Sequence, residues 1–176
     1  MRSLKTLLVS CFVFCSAACS TISINYDYDK TVNFPSYKYY AWHTISRTVE
    51  MNDLLINRVK NAANRVLHSK GFREVSENPD FFLAIHTSKQ QKVEIIDWGY
   101  AYGPYWRRGG YGFGGVDLRQ YEEGTLILDV VDANKNELVW RGSATGIVDP
   151  YLSPEKRTEK IDAAVTRILD KFPPLP

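Results

Sequence analysis

Residues 121–147 read YEEGTLILDVVDANKNELVWRGSATGI, and the fold class turns on them. Leu126, Leu128 and Val130 recur at every second position, the period of a strand with one apolar face. Leu138 to Ile147 has the same extended character and carries Val139 and Trp140. Between these runs lies Asp132-Ala133-Asn134-Lys135-Asn136, rich in residues that favour turns. The pattern predicts strands over Tyr121–Val131 and Leu138–Ile147, joined as a hairpin by a loop of about five residues. Asp129 stands inside the apolar strand, where a carboxylate needs a partner. A structural partner such as Arg141 on the neighbouring strand is one reading; a carboxylate tuned for chemistry is the other.

Upstream, Asn78-Pro79-Asp80 marks a turn, and Phe81 to Thr87 is apolar enough for a central strand. Gln91 to Trp98 continues as extended chain, and Phe72 to Val75 is a short strand. Two more strands precede them. Thr21 to Asp29 alternates, with Ile22, Ile24, Tyr26 and Tyr28 on one side. Tyr37 to Trp42 is aromatic and follows a loop through Asn33-Phe34-Pro35-Ser36.

Two helices complete the pattern. Leu55, Val59, Ala62 and Val66, widened by Ile56, Ala63 and Leu67, form a stripe at helical spacing. Asn52 or Asp53 can cap its start, and Gly71 fits the left-handed position that ends a helix. Ser153 and Pro154 open the second helix, whose stripe is Ile161, Val165, Ile168 and Phe172, before Pro173-Pro174 stops it. The order β-β-α-β-β-β-β-α, without repeats, predicts an α+β fold: an antiparallel or mixed β-sheet packed on one face by two α-helices.

The first 18 residues have a different character. Arg2 and Lys5 precede an apolar run from Leu7 to Phe14, too short to span a bilayer comfortably. Small residues then lead to Cys19. This is the pattern of a secretory signal peptide, and Ala17-Ala18-Cys19 places Cys19 for lipidation. Ser16 departs from the usual leucine three positions before such a cysteine. Three acyl chains on that cysteine would anchor the protein stably, since two or more suffice. Ser20, in place of the aspartate that retains such proteins at the inner membrane, favours the outer membrane. The expectation is a signal peptide over 1–18 and one periplasmic domain over 19–176, lipid-anchored at the periplasmic face of the outer membrane. A soluble periplasmic protein is the alternative.

Composition narrows the chemistry. Without Arg2 and Lys5, 20 basic and 20 acidic residues balance, which gives no electrostatic footprint for nucleic acid. The three cysteines all fall at or before Cys19, so the domain is expected to hold no disulfide and no thiolate metal site. His43, His68 and His86 are scattered and lack metal-ligand spacing. His86, in an apolar strand, reads as a hydrogen-bonded core or edge residue. Asp27 and Asp29 share a strand face, either as an acid/base pair or, more simply, as binders of solvent and turn amides. No G-x-S-x-G turn occurs. No catalytic residue, metal site or cofactor is predicted, and a periplasmic enzyme with an unrecognised active site is the alternative.

Gly99 to Gly115, GYAYGPYWRRGGYGFGG, is the one biased segment. Gly110, Gly112 and Gly115 match G-x-G-x-x-G, but no helix follows to hold a phosphate. The segment reads either as a passive hairpin tip or as a contact surface. In the second case Tyr100, Tyr102, Tyr105, Trp106, Tyr111 and Phe113 would stack on an envelope protein, a lipid or a glycan, and Arg107 and Arg108 would bind anions.

Several segments in order resemble a bacterial lipoprotein family, domain of unknown function 4136. They are Tyr26-Asp27-Tyr28-Asp29, Phe34, Tyr37 to Trp42, Lys70-Gly71-Phe72, Asn78-Pro79-Asp80-Phe81, Glu123 to Asp132, Leu138 to Ala144 and Phe172-Pro173-Pro174. The resemblance implies an exported, usually lipid-anchored α+β domain and supplies no catalytic residues. The expected role is binding or scaffolding in the envelope.

Overall fold

The computed structural model of the protein describes residues 22–43, 52–97 and 116–174. The chain forms β1 (Ser23–Tyr28), β2 (Tyr39–Trp42), α1 (Asp53–Ser69), β3 (Arg73–Glu74), β4 (Phe81–Asp97), β5 (Val116–Asp132), β6 (Glu137–Ile147) and α2 (Pro154–Leu169). A single turn of 3-10 helix, Phe34–Ser36, links β1 to β2. The six strands make one sheet in the order β1-β6-β5-β4-β2-β3. Neighbours are antiparallel except at β2, which runs parallel to both β3 and β4. Those parallel pairings follow from α1, which carries the chain back so that β3 and β4 start at the end where β2 starts. The sheet is mixed, the helices lie together on it, and the α+β expectation holds.

Local chemistry sets the helix ends. Asn52, not Asp53, caps α1: its side chain accepts the Leu55 N–H at 2.9 Å. Gly71 at φ +92° turns the chain out of α1, and the Phe72 N–H returns to the Leu67 carbonyl at 3.0 Å. The Ser153 hydroxyl accepts the Lys156 N–H at the start of α2.

The core lies between the helices and the alternate residues of the strands. Val59, Ala63 and Leu67 of α1 and Val165, Ile168 and Leu169 of α2 meet Phe81, Leu83 and Ile85 of β4, Leu128 and Val130 of β5, and Trp140 of β6. Phe172, just past α2, is fully buried and sits 5.2–6.0 Å, centroid to centroid, from Phe34, Phe72, Phe81 and Trp140. A bulge between Val130 and Val131 doubles Val139 against β5, so Val139 and Trp140 are both buried. Gly142 lies where α2 crosses β6: a Cβ there would overlap the Trp140 ring and stand 2.6 Å from an Ile168 methyl.

The central strands are longer than the sequence suggests. β4 runs unbroken through Ser88-Lys89-Gln90, and β5 begins at Val116 rather than Tyr121. The polar stretch hid the continuity, because backbone pairing needs no apolar pattern. β2 leaves β4 after Trp42↔Leu83 and β6 leaves β5 at Glu123↔Ile147, yet β4 and β5 stay paired to Asp97↔Val116. Beyond Gln91↔Glu122 they form a two-stranded arm of about 20 Å.

Candidate functional site

Cys19 lies outside the described residues, as do Tyr100, Tyr102, Tyr105, Trp106, Arg107, Arg108, Tyr111 and Phe113. The described part of the chain offers three places where polar chemistry gathers.

The first is on the sheet face opposite the helices. Strand alternation puts Asp129 there, across from Arg141 on β6. Arg141 donates from Nε and from Nη2 to the two carboxylate oxygens, each at 2.6 Å. His86 Nε2 stands 3.3 Å from one of these oxygens. The Asp129 side chain is 5% exposed, whereas those of Arg141 and His86 are about half exposed. The guanidinium is held even more firmly protonated by this bond. The structural reading of Asp129, paired with Arg141, is the one found. His86 is not a core residue: it lies on the open face, because β4 turns its even-numbered residues away from the helices.

The second is the hairpin turn. Asp132 accepts the Asn134 and Lys135 amides on one oxygen, at 2.9 and 2.8 Å, and the Tyr37 hydroxyl on the other, at 2.6 Å. Burial alone would raise this carboxyl, but the three donors outweigh it and hold it below the ordinary range. Burial, and then the same bond, pushes the Tyr37 phenol up. Asp27 and Asp29 also serve the backbone. Asp27 accepts the Tyr28 amide, and Asp29 accepts both the amide and the hydroxyl of Thr31, all at 2.8 Å. Those bonds lower the Asp29 carboxyl. Asp80 likewise accepts the Lys38 and Tyr39 amides.

The third is a shallow cleft of about 440 Å³ where α1 meets β2 and β3, lined by Tyr40, Asn64, Arg65, His68, Phe72 and Glu74. Asn64 organises it. Its carbonyl accepts the Tyr40 hydroxyl at 2.9 Å and the Trp42 indole N–H at 3.1 Å, and its amide donates to Glu74 at 2.8 Å. Burial, with Glu74 nearby, pushes the Tyr40 phenol up to about 12. Lys60 Nζ lies 5.1 Å above the Trp42 ring. Arg65 is drawn to Asp162 of α2 at 2.8 Å. The cleft's floor, Tyr40 and Phe72, is buried beneath this network. Sequence reasoning missed Asn64; its one signal was a polar residue flanking the apolar stripe of α1.

Among the described residues no group of three or more His, Cys, Asp or Glu side chains could hold a metal ion. No described helix is long and apolar enough to cross a membrane.

The fold recurs in solved structures. A PDZ domain protein from Parabacteroides distasonis superposes with a TM-score of 0.59 at 13% identity. The match covers 88% of this chain but 36% of that one, so this chain spans about a third of its length. A PelC dodecamer from Paraburkholderia phytofirmans gives a TM-score of 0.50 at 11% identity, covering 84% of this chain and 94% of that one. At such identities the likeness concerns the fold alone. No curated protein matches the sequence. The family described as Domain of unknown function (DUF4136) matches over residues 24–174, from within β1 to past the end of α2. The chain belongs to the DUF4136 family.

Proposed function

We propose that the protein is an exported module tethered through acyl chains on Cys19 to the periplasmic face of the outer membrane, where it binds or scaffolds an envelope component without catalysing a reaction. The observation that carries this reading is the polarity of the sheet. β1 starts at Ser23 opposite Thr145, at the same end of the sheet from which the arm projects. The link from Cys19 to Ser23 reaches at most about 14 Å fully extended, less than the length of the arm. A lipid on Cys19 would therefore press the arm's end of the body against the bilayer surface. The aromatic segment after the arm would lie within reach of headgroups, glycans and membrane-bound partners.

The use of the carboxylates supports the non-catalytic part of this reading. Asp129 is bound on both oxygens by Arg141, and Asp29, Asp80 and Asp132 hold turns and strand starts. Each is committed to the fold rather than aimed into a cleft.

Cell fractionation tests the tether. Cys19→Ala is expected to release the protein from membranes, and unchanged membrane retention would rule the anchor out. Deleting residues 98–115 tests the contact surface. An intact fold with lost envelope function is expected, and full function after the deletion would show the segment to be passive.

A further inference from the structure

Where the sheet narrows to the arm, both its edges are open among the described residues. The direction of the free backbone groups follows from two bonds. The His43 N–H donates to the Leu83 carbonyl, so odd-numbered residues of β4 turn their N–H and C=O toward that edge. Past Leu83, no described strand receives them through Asp97. On the other side, the Val148 N–H donates to the Glu122 carbonyl, so even-numbered residues of β5 face the opposite edge. There Val116, Leu118 and Gln120 have no described strand partner. A two-stranded ribbon is marginal in water by itself, and an open edge is a template for a further strand.

We propose that the arm joins copies of this chain edge to edge: Lys92–Asp97 of one copy pairs antiparallel with Val116–Tyr121 of the next. Three observations favour a second copy as occupant. The two free stretches match in length and are antiparallel to each other, so each copy offers two different edges of the right length and direction to pair, each with both N–H and C=O groups turned outward. Within a copy the centre of this register is complementary, with Glu94 against Arg119 and Ile95 against Leu118, while Ile96 stands against Asp117. The same register between copies repeats the central pairs, Glu94 to Arg119 and Ile95 to Leu118. Finally, β6 ends at Ile147, opposite Glu123, so a neighbouring β4 meets no third strand before Tyr121. Such a contact is heterologous, using different surfaces on the two partners, and it repeats until a ring closes. Closure leaves no open arm edge. The proposal rests on the edges alone and does not require a lipid on Cys19.

Native mass spectrometry of the purified full-length chain tests it. Multiples of the chain mass are expected for the wild type. Val93→Pro and Gln120→Pro each remove one outward N–H and leave the β4–β5 ladder intact, so each is expected to reduce the assembly to single chains with unchanged circular dichroism. A wild type that is a single chain, or an assembly indifferent to both prolines, would overturn the proposal. If a proline variant fails to fold, mixed disulfides decide. In chains with Cys11, Cys15 and Cys19 replaced by serine, Val93→Cys and Gln120→Cys copies are expected to crosslink when mixed and not when separate. Crosslinking of Val93→Cys copies with each other, or none in the mixture, would reject the pairing. Loss of vesicle binding in the proline variants of a single-chain protein would assign the edges to lipid and equally reject it.

Discussion

Strands β4 and β5 run through two environments on one continuous ladder. Between Phe81 and Ile85 the inward side chains are at most 2% exposed, covered by α1 and α2. From Ser88 to Lys92 every β4 side chain is exposed, β2 has already left the sheet at Leu83, and β6 leaves β5 at the level of Gln90. The backbone pairing is the same along both halves; the layer above it differs. Stability in this protein should follow that layer, because hydrogen bonds exchanged with water contribute little net free energy while buried apolar area contributes most of it.

The sharpest way to break this contrast is at Phe81. Its ring is fully buried and lies within 5.4–5.8 Å of the rings of Tyr37, Tyr40, Phe72 and Phe172. Phe81→Ala should cost about 3–5 kcal/mol, measured by urea unfolding. A loss under about 1 kcal/mol would contradict the core assigned here. Gly142→Ala comes next. The added methyl has no room against Trp140 and Ile168, so about 1–3 kcal/mol should be lost, with a matching fall in Tm.

Asp132 tests the hairpin that the two halves share. Asp132→Ala removes the acceptor for Tyr37 and two turn amides, and about 1–3 kcal/mol should go with it. The pH dependence has a definite sign. The folded carboxyl lies below its unfolded value of about 3.9, so its contribution is complete above that pH and fades as pH falls through the folded value. Acid unfolding should therefore steepen below about pH 4 in the wild type and less in the Asp132→Ala variant. The smallest effect belongs to the arm. Lys92→Ala, which removes an exposed 3.3 Å ion pair to Glu123, should change global stability by less than about 0.5 kcal/mol. Arm amides should exchange with deuterium well before those of Leu83 or Leu128. Equal protection in both halves would show that the arm is covered.

The sequence disclosed the body more readily than the arm for the same physical reason. Apolar periodicity records burial. It located both helix stripes, the hairpin around Asp132 and the strand from Phe81, all of which contact the core. The stretch of β4 from Ser88 to Gln91 is exposed and left no such record, so its continuity became visible only in the pairing. The Asp129–Arg141 bond was legible because a charge in an apolar strand demands a partner. The Asn64 cleft was not, because Tyr40 and Trp42 of β2 and Glu74 of β3 meet Asn64 only through the crossover of α1.

The placement of β1 has a mechanical consequence. It is the outermost strand beside β6, joined to it antiparallel from Ser23↔Thr145 to Tyr28↔Trp140. Tension entering through the residues before Ile22 would pull β1 lengthwise, loading its bridges in shear, all together, rather than peeling them open one by one. A body dragged by its N-terminus would thus be gripped along a whole strand, the orientation in which a sheet margin best withstands force.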